Sequence, residues 1–340
     1  MRQSSSSSSS TWRSAPPACA STRPPCGPER DTAGRVPTGL TGRDNVDLNG
    51  SGSGNDNDSD SHNDGDKTLA QVHRSASAGT TASTGSEAPI APPSRLLQLL
   101  ELRAGWELAA GLAALPWLRM APRGDGHPVL VFPGLGATDL STAPLRSFLE
   151  DRGYVPYPWK QGFNFGPRNG VLERCEEEAA RIAAKHQRPL SLVGWSLGGI
   201  YAREVAKLMP DRTRCVITLG TPFTGHPHAT NAWRIYELLS KQKMNDEAVL
   251  AQVRQAPPVP TTSIYSRSDG IVAWQCSVNE AGPLAENIEL HASHVGMGLN
   301  PLALYAVADR LAQDPRAWKP FDAGGARRWF FRTPGALAAA

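Results

Sequence analysis

The chain has 340 residues and a formal net charge of +3, which is too small to indicate a nucleic acid or a strongly acidic substrate as partner. Hydrophobic residues make up 40% of the sequence, and their distribution favours one α/β domain with extensions over two separate domains. No run approaches the ~18 uninterrupted apolar residues of a membrane-spanning helix, and serines follow Arg2 where a secretory leader would be apolar, so we expect a cytoplasmic location.

Residues 1–90 are of low complexity. They include the serine run at residues 4–10 and the stretch at residues 49–66, which is almost entirely Asn, Asp, Gly and Ser. Such a composition cannot bury enough apolar surface to offset the entropy that the chain loses on ordering. We therefore predict that this segment is disordered and serves as a tether or an interaction tail.

The five cysteines are scattered through the sequence without the spacing of a metal site or of a disulfide framework. An odd number in this arrangement indicates reduced thiols with a structural role. The sequence alone leaves a pairing of Cys215 with Cys276 open.

A helix is predicted over residues 94–119, which we call the leading segment. Ser94 follows two prolines and can cap its first turn. Charged residues interrupt its apolar surface at Arg95, Glu101, Arg103 and Glu107. Because these residues are not notably basic, packing against the domain or forming part of a cover is favoured over contact with a membrane or a lipid substrate.

Strands alternate with helices across residues 126–318, the predicted catalytic domain. Short apolar runs predict strands at residues 127–132, 154–159, 190–195, 215–219, 262–266 and 288–290. Helical patterns are found at residues 143–152, 171–186, 200–209 and 301–311. This alternation predicts an α/β fold with a mostly parallel sheet of about six strands, flanked by helices and joined by right-handed crossovers.

Two parts of the chain do not belong to this alternation. Residues 224–260 are longer than a crossover requires and contain two predicted helices, at residues 232–242 and 246–255. They are predicted to form a small helical cap insertion over the nucleophile, and a crossover with added helices is the alternative. The C-terminal tail, residues 319–340, is basic and aromatic in part, and it is expected to pack back on the domain or to be mobile.

The strand at residues 190–195 runs into the motif Gly194-Trp195-Ser196-Leu197-Gly198, which a helix is predicted to follow. A strand, a tight turn and a helix form the nucleophile elbow, in which the serine hydroxyl is exposed at the end of a sheet. Glycines are needed two residues before and after the serine because the strand and the helix pass very close to each other. Ser196 is therefore the predicted nucleophile.

A serine hydroxyl needs a base within hydrogen-bond reach, and the base needs an acid that orients it. In a parallel sheet both are expected in loops at the carboxyl ends of later strands. Asp269 follows the fifth predicted strand and His294 follows the sixth. The order serine, acid, histidine predicts a triad of Ser196, Asp269 and His294.

Other residues compete for the roles of acid and base. The less favoured candidates are Glu280, Asp246 and Asp309 for the acid, and His291, His226 and His228 for the base. Glu280 is the main competing acid, since the other two fall in predicted helices. His291 is the main competing base, and His294 is preferred because it lies further into the loop, before two glycines.

An oxyanion hole requires two backbone N–H groups that point at the oxygen gaining charge in the tetrahedral intermediate. Leu197, directly after the nucleophile and at the start of a helix, is expected to supply one of them. The other is expected from the loop after the first strand, Pro133-Gly134-Leu135-Gly136, where Leu135 is preferred to Gly136.

Taken together, these motifs resemble the α/β-hydrolase superfamily, and within it the serine esterases and lipases. The resemblance covers residues 127–313. Its motifs are Phe132-Pro133-Gly134-Leu135-Gly136, Gly194-Trp195-Ser196-Leu197-Gly198-Gly199, Leu219-Gly220-Thr221-Pro222, Ser268-Asp269-Gly270-Ile271-Val272 and Ser293-His294-Val295-Gly296. It implies the same triad and a compact member of the fold.

The expected activity is hydrolysis of carboxylic esters through an acyl-enzyme, with neither a metal nor an organic cofactor. A small-molecule or lipid ester is the expected substrate, nucleic acid is not an expected partner, and contact with a lipid surface stays open. An acyltransferase with the same triad and a non-catalytic binding protein that kept the fold are the alternatives. The sequence indicates neither the size of the substrate nor the oligomeric state.

Overall fold

The computed structural model describes residues 90–168, 170–225, 229–231 and 247–334. The predicted disorder of the N-terminal region therefore concerns residues outside this description, apart from residue 90. The first predicted cap helix, at residues 232–242, lies outside it as well, as do Asp246, His226 and His228.

The centre of the fold is a six-stranded sheet in which every neighbouring pair of strands is parallel. Its strands are β1 (Pro128–Phe132), β2 (Val155–Pro158), β3 (Leu190–Trp195), β4 (Thr213–Leu219), β5 (Thr261–Tyr265) and β6 (Ala285–Glu289). Their order in space is β2-β1-β3-β4-β5-β6. The chain turns back after β2 and continues on the other side of β1, so the carboxyl ends of β1 and β3 meet at the switch point where α/β sheets bind ligands. The predicted parallel α/β fold is confirmed.

Helices cover both faces of this sheet. The α-helices of the described residues are α1 (Arg95–Leu99), α2 (Ala104–Ala113), α3 (Leu115–Leu118), α4 (Ala143–Asp151), α5 (Val171–His186), α6 (Leu197–Leu208), α7 (Glu247–Arg254) and α8 (Pro301–Leu311). Side chains alternate along β1: Val129 and Val131 pack with α4 and α8, and Leu130 and Phe132 pack with α5 and α6. Every residue of β1 is buried, as expected for a strand covered on both faces.

The leading segment is a series of short helices. The Ser94 hydroxyl accepts a hydrogen bond from the Leu97 amide and caps α1, as predicted. Residues 100–103 form a 3₁₀ turn, and α3 begins anew near Pro116, which lacks the N–H that would continue a helix. Two of its largest apolar side chains face solvent, Leu102 at 84% and Trp106 at 79% exposure, whereas Glu101 is buried.

The described helix of the cap insertion is α7. It packs on α6, where Arg203 donates to the carbonyl oxygens of Arg254 and Gln255, and Lys207 donates to that of Gln252. These contacts lie in the second half of α6, away from its first residue, which follows Ser196. Helix α7 thus has the contacts of a crossover helix.

The C-terminal tail packs back on the domain as far as residue 332. Phe321 and Phe331 are buried in the same core as α8, and Arg332 exchanges two backbone hydrogen bonds with Glu289 at the end of β6. This bridge pairs the backbone groups of Glu289 on the edge strand β6.

Cys215 and Cys276 are both free thiols and do not pair. Burial raises the pKa of the Cys276 thiol to about 11, so it is protonated at neutral pH. Across the described ranges, no helix is both long and apolar enough to span a membrane.

The approach of β3 to α6 at Gly194 leads to a prediction on stability. A Cβ at this position would overlap the backbone of Gly198 and Gly199, so Gly194→Ala is expected to lower the free energy of unfolding by roughly 3 kcal/mol. Gly105→Ala is the matched control, because a Cβ there meets no atom within 4 Å and α2 gains about 0.5–1 kcal/mol. Urea unfolding measures both, and equal midpoints for Gly194→Ala and the unchanged chain would contradict the close approach.

Candidate active site

Ser196 occupies the turn between β3 and α6. Its backbone has φ 52° and ψ −125°, a conformation that residues other than glycine rarely adopt. The Ser196 amide donates to the Leu219 carbonyl oxygen at 2.8 Å, which fixes the turn to the end of β4. The serine is half-buried.

The structure brings Ser196, His294 and Asp269 together in one hydrogen-bonded chain. The Oγ atom of Ser196 lies 2.9 Å from Nε2 of His294, and Nδ1 of His294 lies 2.6 Å from Oδ2 of Asp269. A proton on Nδ1 donates to the carboxylate, which leaves Nε2 to accept the serine proton. This is the arrangement in which a histidine acts as base toward a serine.

The carboxylate of Asp269 is held from its other side. Its Oδ1 atom accepts from the amides of Ile271 and Val272 at 2.8 and 2.7 Å, so only Oδ2 is directed at His294. The competing acids lie elsewhere: Glu280 is exposed, and Asp309 pairs with Arg310 in α8. Among the described acidic residues, Asp269 alone contacts the His294 ring.

The loop after β6 fixes His294. The His294 carbonyl oxygen accepts from Nε1 of Trp195, the residue before Ser196, at 3.0 Å, and His294 is buried. His291 is exposed and takes no part in this cluster.

The electrostatic surroundings of His294 favour its charged form. Burial by itself would lower its pKa, but the negative charge of Asp269 and the hydrogen bond to it outweigh burial, and the charge of Glu101 adds to them. The pKa of His294 is therefore raised above its ordinary value of 6.5. A raised pKa makes His294 a stronger base for the serine proton.

The loop after β1 runs beside Ser196. A Cβ on Gly134 would lie 3.3 Å from Cβ of Ser196, so the loop backbone passes directly along the serine. The Gly136 amide donates to the Asn164 carbonyl oxygen at 2.6 Å and is therefore engaged. In the described part of the chain, the amides of Leu135 and Leu197 have no hydrogen-bond acceptor. They are the two amides that were predicted for the oxyanion hole.

Asn164 is a site residue that sequence reasoning missed. It is fully buried, its side-chain amide donates to the Pro133 carbonyl oxygen at 2.8 Å, and its amide donates to that of Ala137. Together with the Gly136 contact, these bonds fix both sides of the loop beside Ser196. A single asparagine in a Gly- and aromatic-rich stretch gave no signal that would have identified it.

A second Ser–His–Asp set lies at the amino ends of the strands, opposite the carboxyl ends where Ser196 lies. Nε2 of His127 lies 2.8 Å from Ser191 Oγ, and Nδ1 lies 2.5 Å from Asp125 Oδ1. Ser191 and His127 are fully buried at the amino ends of β3 and β1, and Cys215 donates to the Ser191 hydroxyl. Burial lowers the pKa of His127 to about 4, so it is neutral at pH 7. Since Ser191 and His127 are buried, this set connects β1 and β3 inside the core, and Asp125 pairs with Arg188 and Arg214 at the surface.

No protein-family model and no curated protein matches this chain. Among solved structures, it is similar to lipase B of Aspergillus fumigatus, with 21% identity over 56% of this chain and 53% of that one and a TM-score of 0.45. The chain thus spans about half the length of that lipase. It is also similar to an alpha/beta superfamily hydrolase of Oenococcus oeni PSU-1, with 19% identity over 57% of this chain and 94% of that one and a TM-score of 0.42. A third is a lipase-esterase related protein of Clostridium acetobutylicum ATCC 824, with 13% identity over 55% of this chain and 95% of that one and a TM-score of 0.40.

Proposed function

We propose that this α/β-hydrolase-fold protein hydrolyses carboxylic esters through an acyl-enzyme on Ser196. The observation that carries the proposal is the hydrogen-bonded chain from Ser196 through His294 to Asp269, at a strained turn beside two unengaged amides. Each of these parts meets a separate requirement of acyl transfer: a nucleophile, a base, an orienting acid and an oxyanion site.

In the first half of the reaction, Ser196 Oγ attacks the ester carbonyl carbon while Nε2 of His294 accepts its proton. The carbonyl oxygen gains negative charge and is stabilised by the amides of Leu135 and Leu197. Asp269 stabilises the imidazolium that forms. His294 then donates the proton to the leaving alcohol, and the acyl group stays on Ser196.

In the second half, water takes the place of the alcohol. His294 accepts a proton from the water as its oxygen attacks the acyl carbon, and the carboxylic acid leaves as Ser196 regains the proton. The protein's residues supply every proton transfer in this sequence. An alcohol that reaches the acyl-enzyme before water would give acyl transfer instead.

We further propose that the ester carries an apolar acyl group and is presented at a lipid surface. Phe163 is 59% exposed and stacks on Phe165, and these two rings flank Asn164, which holds the proposed oxyanion loop. Trp106 on the leading segment and Val295 next to His294 are further exposed apolar side chains. We expect higher kcat/KM for p-nitrophenyl laurate than for the acetate.

A fluorophosphonate probe followed by peptide mapping tests the nucleophile. We expect a single label on Ser196, together with release of p-nitrophenol from p-nitrophenyl esters in water. Absence of labelling would indicate a binding protein without the activity. Product esters that appear on addition of an alcohol, with no free acid, would assign the acyl-enzyme to an acyltransferase.

The raised pKa of His294 predicts how activity depends on pH. Only the neutral imidazole can accept the serine proton, so kcat/KM should fall as the pH drops through this pKa. Because the pKa is raised from 6.5, the midpoint of this acidic decline is expected above pH 6.5. A pH profile of p-nitrophenyl ester hydrolysis measures it, and a midpoint below 6.5 would contradict the surroundings described for His294.

A further inference from the structure

The leading segment places a buried carboxylate against both loops that carry the acid and the base. Oε1 of Glu101 accepts from the amides of Gly270 and His294 at 2.7 and 2.9 Å, and Oε2 accepts from that of Val295 at 2.9 Å. The residue is only 9% exposed. One carboxylate thus connects the residue after Asp269 with His294 itself.

Two further residues of the leading segment form hydrogen bonds with the same loops. Nη2 of Arg103 donates to the carbonyl oxygens of Ser268 and Ala292 at 2.7 and 2.8 Å. Oε1 of Glu107 accepts from the Ser293 amide at 2.6 Å and from Arg103. The segment therefore bonds to the residue before each of Asp269 and His294 and, through Glu101, to the loops beyond them.

The leading segment also packs closely against the loop that carries Asp269. A Cβ on Gly270 would overlap the Leu97 carbonyl group, so the backbone of α1 lies directly on the acid loop. Burying a carboxylate is costly unless hydrogen bonds replace its water. The three amides that bond to Glu101 offset this cost, and all of them belong to the two catalytic loops.

The separation of the two loops determines the contact between Asp269 and His294. Asp269 follows β5 and His294 follows β6, so each side chain is placed by its own loop. A shift of about 1 Å in such a contact can cost as much as 10²-fold in rate. Glu101 resists this shift, since any relative movement of the loops lengthens at least one of its bonds.

We propose that Glu101 is a positioning residue, which holds the Asp269 and His294 loops in register and places a second negative charge behind the His294 ring. This inference rests on the proposed function for its effect on turnover, but the placement of the ring does not depend on it. Glu101 does not touch the ester. The charged groups that face His294 are Asp269 from the loop after β5 and Glu101 from the leading segment.

Glu101→Gln removes the charge and one of the two acceptor oxygens while keeping the shape. We expect kcat to fall by about 10- to 100-fold with KM unchanged, and the acidic midpoint of the pH profile to move to lower pH. Glu286→Gln is the matched control, because Glu286 is also buried and its partners, the Phe321 amide at 2.6 Å, Thr262 and Arg310, belong to neither of the two loops. The control should lower thermal stability without changing kcat or the pH midpoint.

NMR titration of the His294 ring separates this inference from the proposed function, since it needs no turnover. A His294 titration moved to lower pH in Glu101→Gln supports the positioning role even if esters are not cleaved. An unmoved titration together with an unchanged kcat overturns it. Should Glu101→Gln not fold, Glu101→Asp provides the test: its shorter carboxylate cannot reach all three amides, so an unchanged kcat there overturns the inference as well.

Discussion

Replacing Ser196 with alanine is expected to lower the turnover of p-nitrophenyl esters by about 10⁴-fold or more. The substitution removes the hydroxyl that lies 2.9 Å from His294 Nε2, and it leaves the ring, Asp269 and the neighbouring amides in place. The loss should appear in kcat, because the substitution leaves the apolar side chains proposed to bind the acyl group unchanged. Steady-state kinetics and the loss of fluorophosphonate labelling measure it.

Ser191→Ala is the matched control for this experiment. Ser191 also contacts a histidine ring, that of His127, at 2.8 Å, but both residues are buried at the amino ends of β3 and β1. We expect Ser191→Ala to keep its turnover and to lose only stability. Activity that survives Ser196→Ala and disappears in Ser191→Ala would assign the chemistry to Ser191 and His127.

Asp269→Asn should also be severe, with a loss of about 10⁴-fold in kcat, because the hydrogen bonds around residue 269 determine how an asparagine would sit. Oδ1 accepts from the amides of Ile271 and Val272, so the amide oxygen would stay on that side. The Nδ2 group would then face Nδ1 of His294. Nδ1 must accept this bond, so the ring proton moves to Nε2 and the base can no longer take a proton from Ser196.

The loss in Asp269→Asn should be compared with Glu280→Gln, which changes the competing acid. Glu280 is exposed, and we expect this variant to keep full activity. NMR of the imidazole nitrogens in Asp269→Asn should show the proton on Nε2. Near-normal turnover in Asp269→Asn together with a loss in Glu280→Gln would transfer the role of the acid to Glu280.

The sheet could be predicted from the sequence because its signals are local. Runs such as Val129–Phe132 are wholly buried, so they are continuously apolar, and helical patterns separate them. The positions of Ser196, Asp269 and His294 follow from the same rule, since side chains at the carboxyl ends of parallel strands share one edge. Their hydrogen bonds are then a consequence of chain order.

The leading segment could not be predicted in this way. Its pattern indicates one helix with an apolar face to bury, whereas the structure exposes Leu102 and Trp106 and buries Glu101. The partners of Glu101 are backbone amides 169 to 194 residues further along the chain, and backbone amides leave no mark in a sequence. Asn164 was missed for the same reason, because its side chain bonds to the Pro133 carbonyl group.

The backbone of Ser196 has a thermodynamic consequence of its own. A residue with a side chain at φ 52° raises the energy of the native state by about 1–3 kcal/mol, a cost that glycine would avoid. The folded chain would thus be more stable with glycine at position 196 than with serine, and glycine has no hydroxyl. The Ser196 conformation therefore lowers the stability of the folded chain, and random substitution screened for heat resistance alone would favour loss of the Ser196 hydroxyl.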